Sequence, residues 1–219
     1  MTIRYRNSNP GAPEITKYLT RNPNRMNLGR IGLVLLKDDG TAACEADLDT
    51  ATQHIDLWSG RVESRFSLGG AESEVVTLCH PTEDIVALKI RSQLITSGRL
   101  KAFIEFPYPD EENMKDYVGL YDVPSKHLSN LNPTQHGAVI ERTVDTVHYC
   151  ASLNWSRGAT LSQVSPHRFE ITPDSTSGRI DLCIRFSKKA SEAPIATSAT
   201  RLVRRIERLS AREWKRYWE

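Results

Sequence analysis

From Arg61 to Leu68 the side chains Val62, Ser64, Phe66 and Leu68 alternate with Arg61, Glu63, Arg65 and Ser67. This period of two predicts a strand with one packed and one wet face. Gly69-Gly70 follows as a two-residue turn, so the next strand, over about 71–79, completes a hairpin. His80-Pro81 ends that ladder, because proline has no amide hydrogen for the next rung. Residues 84–91 then predict a strand with Val86, Leu88 and Ile90 on one face, and 99–106 repeat the device with Leu100, Ala102, Ile104 and Phe106 inward. Upstream, residues 31–36 form an apolar run closed by Asp38-Asp39-Gly40, a strand and a tight turn. Residues 107–133 interrupt as a long polar segment carrying the acidic run Asp110-Glu111-Glu112. Strands resume over 138–144, 147–153, 159–164, 167–172 and 179–186, and in the last Ile180, Leu182, Ile184 and Phe186 face one way. Roughly ten short strands separated by turns predict an all-β fold, a large antiparallel β-sandwich.

The two ends depart from this pattern. The first 30 residues are dense in Asn, Pro and Gly, which predicts extended loops around at most short strands. At the other end Leu202, Val203, Ile206, Leu209, Trp214, Tyr217 and Trp218 fall near helical spacing, so residues 198–219 predict a C-terminal amphipathic helix. Ser210 and Glu213 have capping-box spacing, which allows a break near Ser210. The organisation expected is a sandwich over 1–190, then a linker and helix over 191–219. Because the apolar face carries Trp214, Tyr217 and Trp218 up to the last residues, the helix is expected to lead into a further, absent domain.

Composition narrows the class. The 219 residues are 39% hydrophobic and 26% charged, ordinary values for a globular domain with a sizeable core. No apolar run reaches the roughly 18 residues of a membrane span, and the first residues lack a secretory core. The net charge of +2 is uneven: residues 198–219 hold seven Arg or Lys against three Glu, a local +4, leaving −2 for the body. Those cations occupy mostly the wet side of the helix, so a solvated face is expected, with no nucleic acid and no membrane as partner. Cys44, Cys79, Cys150 and Cys183 form no CxxC pair, which gives no signal for a zinc or thioredoxin-like site. Thiols in a reduced, cytoplasmic chain are expected; two disulfides in an oxidising compartment are the alternative.

Signatures of catalysis are missing. The chain contains no HExxH, GxSxG, GxxxxGK[ST] or strand-associated GxGxxG. The six histidines are scattered and are expected to be ordinary surface or turn residues, with no metal and no cofactor. Glycoside hydrolysis needs two carboxyl groups in unlike environments, and Asp56, Glu63, Glu105 and Asp110 offer no spacing that singles out a buried acid. No catalytic residue is assigned. Trp58 and Trp155 are candidates for stacking on a sugar ring, weighed against core packing. Arg25, with Arg30 nearby, offers a planar fork for hydroxyls or carboxylates, or a pin for the Asn-rich loop, and Asp56 is carried as a carboxylate candidate. Arg25, Asp56, Trp58 and Trp155 are therefore the candidate substrate-binding residues.

Four stretches carry a resemblance: Asn24-Arg25-Met26-Asn27-Leu28-Gly29-Arg30-Ile31-Gly32-Leu33, Gln53-His54-Ile55-Asp56-Leu57-Trp58-Ser59-Gly60, Cys79-His80-Pro81 and Phe106-Pro107-Tyr108-Pro109. Together they resemble the N-terminal β-sandwich, or supersandwich, of six-hairpin (α/α)6-barrel glycosidases, akin to the fucosidase, rhamnosidase and maltose phosphorylase groups. The ending Arg212-Glu213-Trp214-Lys215-Arg216-Tyr217-Trp218 resembles the linker helix that leads into their barrel. The resemblance implies a non-catalytic domain, since those families keep their catalytic carboxylates in the barrel. It also implies a barrel partner met through Trp214, Tyr217 and Trp218, with a sandwich loop rimming the active-site mouth; another chain on the same residues, or carbohydrate, is the alternative partner. Two alternatives stand beside it: a carbohydrate-binding module, and a sandwich repurposed to act on a small molecule.

Overall fold

The computed structural model describes residues 10–20, 26–110, 118–135, 137–189 and 197–219, and among them twelve strands form two antiparallel sheets. The smaller sheet has the order β1 (Arg30–Leu35), β6 (Leu100–Glu105), β11 (Arg168–Thr172), β10 (Thr160–Ser165). The larger runs β2 (Thr50–Asp56), β3 (Arg61–Leu68), β4 (Ala71–Cys79), β5 (Ile85–Ser92), β12 (Arg179–Ser187), β9 (Val147–Trp155), β8 (Gly137–Val144), β7 (His127–Thr134). The β3–β4 hairpin closes through Gly69 and Gly70, both at positive φ (57° and 75°), the two-residue geometry whose twist matches paired strands.

Alternation sorts the core. Leu88, Ile90, Ile180, Leu182, Ile184, Ile140 and Leu153 of the large sheet meet Ala102, Ile104, Phe169 and Ile171 of the small one. On the opposite face of the large sheet, Val76, Leu78, Ile85, Ala87 and Cys183 are buried under Leu202, Val203 and Ile206 of the helix α3 (Ala199–Trp218). β12 is thus covered on both faces, which explains its nearly unbroken buried run from Ile180 to Ile184. Burial of each of the three helix side chains stabilises the contact by about 2 kcal/mol.

The fold is the all-β sandwich with a C-terminal helix that the strand pattern predicts, and four local features differ. Residues 13–20, expected as loop, form the helix α1 (Pro13–Thr20); Pro13 suits a first helical position and Glu14 faces the positive end of the helix dipole. β7 lies inside the stretch expected as a long interruption, and β2 was not marked by alternation. Both are edge strands of the large sheet, polar and mostly exposed, and an edge position also tolerates Pro133. A single helical turn, α2 (Gln93–Thr96), joins β5 to β6, with the Ser92 hydroxyl accepting from the Leu94 amide. Finally α3 does not break at Ser210: that residue is buried, and its hydroxyl donates to the Ser59 carbonyl at 2.9 Å instead of capping a new helix.

Candidate functional site

Twenty helical residues span about 30 Å, and α3 uses that length to cross the outer face of the large sheet. At its start Thr200 donates to Asp181 of β12 (2.6 Å). Midway Glu207 pairs with Lys89 of β5 (2.5 Å) and Arg61 of β3 (3.7 Å). Its last two turns reach the β2–β3 turn, where Trp218 Nε1 donates to the Leu57 carbonyl (2.7 Å).

That turn is built by its own side chains. The Asp56 carboxylate accepts from the Trp58 amide (2.9 Å) and the Ser59 hydroxyl (2.5 Å). Gly60 sits at φ 65° under the Trp214 indole, where a Cβ would collide with that ring. The turn thereby presents Leu57 and Trp58, 56% and 60% exposed, beside Trp214 (40%), Trp218 (45%) and Tyr217 (72%). The rings touch in sequence: Trp58 to Trp218 at 6.4 Å, Trp218 to Trp214 at 6.3 Å, and Tyr217 to Trp214 and Trp218 at 5.7 and 5.0 Å. Among the described residues, four aromatic side chains from two elements thus form one surface that is about half exposed. Around it the helix cations are ordered, Arg212 and Arg216 on Glu213 and Lys215 on Glu219.

Of the candidate residues, Asp56 and Trp58 are brought together in this turn. The hydroxyl of Ser59 and the amide of Trp58 hold the Asp56 carboxyl below the usual range, so it is an ionised turn anchor and no proton donor. Trp155 lies elsewhere, on β9, five strands from β2 and so about 24 Å away at ordinary strand spacing. Its indole is half-buried against the main core and donates to the Ala159 carbonyl (2.8 Å). It borders an open cleft of about 590 Å³ together with Asn154, Arg157 and Gln135. Arg25 lies outside the described residues. Arg30 is on β1, paired with Glu105 (2.6 Å) and set over the Tyr121 ring at 3.9 Å, so its fork is already occupied. All four cysteines are thiols; burial pushes Cys183 up to about 12. Among the described residues no three His, Cys, Asp or Glu side chains gather as a metal site, and no helix is long and apolar enough to cross a membrane.

A second constellation escaped the sequence reading. His127 and His167, expected as surface or turn residues, are 4% and 7% exposed and enclose Arg142, which is 1% exposed. One signal was available: Arg142 shares strand phase with Ile140 and Val144, an inward phase for a charged side chain. The histidines come from β7 and from the residue before β11, and no spacing announces that meeting.

No protein-family model matches the sequence, and no curated protein matches it. Among solved structures the chain is similar to a bacterial glucoamylase crystallised with acarbose, at a TM-score of 0.56 and 10% identity. The alignment covers 85% of this chain and 31% of the glucoamylase chain. At that identity the likeness is one of fold: this chain has the architecture of a segment making up less than a third of the glucoamylase.

Proposed function

We propose that this chain is the non-catalytic β-sandwich domain of a glycoside hydrolase-like enzyme, and that its aromatic surface packs against a helical (α/α)6 barrel carrying the catalytic carboxylates. The observation that carries this reading is the asymmetry of the fold likeness, which takes in 85% of this chain and only 31% of a glucoamylase. The half-exposed Trp58, Trp214, Tyr217 and Trp218 support it, as a face suited to a large apolar partner. Asp56 is engaged within its own turn by the Ser59 hydroxyl and the Trp58 amide and is held ionised, which removes it as a candidate for the proton donor of glycoside hydrolysis. The reading frame past Glu219 is the direct test: several hundred helix-rich residues are expected there, and an immediate stop codon would sink the reading. In the longer protein, the double variant Trp214→Ala/Trp218→Ala should loosen the junction, seen as faster limited proteolysis between sandwich and barrel.

The 60% exposure of Trp58 favours a second reading, in which the same surface stacks on a glycan. Calorimetric titration of this chain with maltooligosaccharides separates the two, since a flat titration removes glycan binding. The third possibility, a small-molecule reaction between the sheets, is disfavoured by the side chains of Ile90, Ile104, Phe169 and Ile180 that fill that space.

A further inference from the structure

Arg142 projects from β8 between the two sheets and spends its guanidinium on neutral acceptors. Nη1 donates to the Leu128 carbonyl (2.7 Å), the Ser129 hydroxyl (2.5 Å) and His167 Nδ1 (3.2 Å). Nη2 reaches His127 Nδ1 (2.5 Å) and the Pro107 carbonyl (3.5 Å), and Nε the Tyr149 hydroxyl (3.4 Å). A guanidinium only donates, so both Nδ1 atoms offer it lone pairs, and the Ser129 hydroxyl, which accepts from Arg142 Nη1, turns its own hydrogen to His167 Nδ1 at 2.8 Å. His167 Nε2 faces the Pro124 carbonyl at 2.9 Å and therefore carries the proton. The two imidazole rings are stacked with centroids 3.6 Å apart. Each histidine is thus bound in its neutral form, and a proton on either Nδ1 would replace an acceptor by a donor aimed at a buried cation.

Among the described residues the surrounding charges offer no remedy. From β9 the facing group is Tyr149, whose hydroxyl donates to the Leu28 carbonyl (3.1 Å). From the segment after β6 it is Tyr108, its ring 6.0 Å from His127 and its hydroxyl on Asp145 of the β8–β9 turn (3.0 Å). Lys126 stands over the outer side of that ring at 5.1 Å, a further cation. Arg168, next to His167, turns away to Glu105 (3.1 Å) and the Phe103 ring. Asp145, the carboxylate that Tyr108 reaches, is exposed and one tyrosine removed from His127. What the cluster holds is backbone: Leu28, Pro107, Pro124 and Leu128 are all tied to it, from three separate stretches of chain.

We propose that Arg142, His127 and His167 form a proton-sensitive clamp that keeps residues 120–128 docked on this end of the sandwich and releases them when the histidines are protonated. Burial, then His167, then Arg142 lower His127 to about 4; burial lowers His167, with the bond to the Pro124 carbonyl pulling the other way and Arg142 adding to the lowering. A histidine freed by opening returns to about 6.5, so the open state binds protons that the closed state refuses. The open fraction should therefore rise by up to about tenfold per pH unit for each histidine as pH falls below 6.5.

Hydrogen exchange of this chain between pH 6.5 and 5, corrected for intrinsic rates, tests the clamp in a window where ordinary carboxylates stay ionised. Amides of residues 120–128 should lose at least tenfold protection while those of β5 and β12 keep theirs. In the double variant His127→Gln/His167→Gln, whose amide oxygens can still accept from Arg142, protection of 120–128 should no longer depend on pH. An unchanged wild-type segment, or a loss that persists in the double variant, would overturn the proposal. If the double variant does not fold, NMR titration of the wild-type histidines decides: midpoints well below 6.5 for both support the clamp, and ordinary midpoints refute it.

Discussion

Gly60 shows how much one position carries in this protein. It takes a positive φ that side-chain-bearing residues resist, and it lies where the Trp214 indole covers the turn. Gly60→Ala is expected to cost about 1–2 kcal/mol from backbone strain alone, and to lift Trp214 as well, seen as a lower urea midpoint with a red-shifted tryptophan emission. Cysteine chemistry is equally local. Cys44 and Cys79 are exposed, whereas burial holds Cys183 as a thiol with its pKa pushed up to about 12. A disulfide reagent at pH 8 should therefore label Cys44 and Cys79 in the folded chain and reach Cys183 only after denaturation; rapid labelling of Cys183 would contradict its packing under α3.

At the scale of elements, α3 divides into two parts with different work. Leu202, Val203 and Ile206 seal the outer face of the large sheet, while Trp214, Tyr217 and Trp218 lie on the β2–β3 turn and stay partly open. Ile206→Ala should cost about 2–4 kcal/mol, because the surrounding sheet cannot close over the cavity. Trp218→Ala removes a half-exposed ring and one hydrogen bond, so its cost should stay near 1–2 kcal/mol. Urea denaturation of both variants checks the contrast. Equal costs would mean that the aromatic end is core and that the proposed junction is misplaced. The amphipathic period of this helix was legible in the sequence, and so were the β3–β4 hairpin and the inward phase of β12. β2 and β7 were less so, because an edge strand with two wet faces carries no alternation to read.

For the whole molecule, pH acts in two steps. His80, His127 and His167 all have lowered pKa values, chiefly through burial. At His80 the partner is backbone, the Glu83 amide donating to Nδ1 at 3.0 Å, while Nε2 faces the Glu83 carboxylate at 3.6 Å. The native chain binds fewer of these protons than the unfolded chain, so their contribution is complete above about pH 6.5 and fades as pH falls toward about 4. The carboxyls of Asp39, Asp47, Asp56 and Asp174 are lowered by hydrogen bonds in turns, and their contribution is lost only below the ordinary carboxylate range. The urea midpoint should fall between pH 7 and 5 and again between pH 4 and 3. A flat profile down to pH 5 would mean that the buried histidines titrate normally.

By itself the sequence determined the class of fold, most strand positions and the terminal helix, because these follow from local periodicity and turn chemistry. It also placed Asp56 and Trp58 side by side. Tertiary structure alone decided that Trp58 would meet Trp218, 160 residues further on, and that Trp214 would cover Gly60. It likewise brought His127 and His167 onto Arg142, and gave Trp155 a place five strands from β2, the strand that leads into the turn of Asp56 and Trp58. Those meetings depend on sheet order and on which face each strand turns inward, and neither is written in the spacing of residues along one segment.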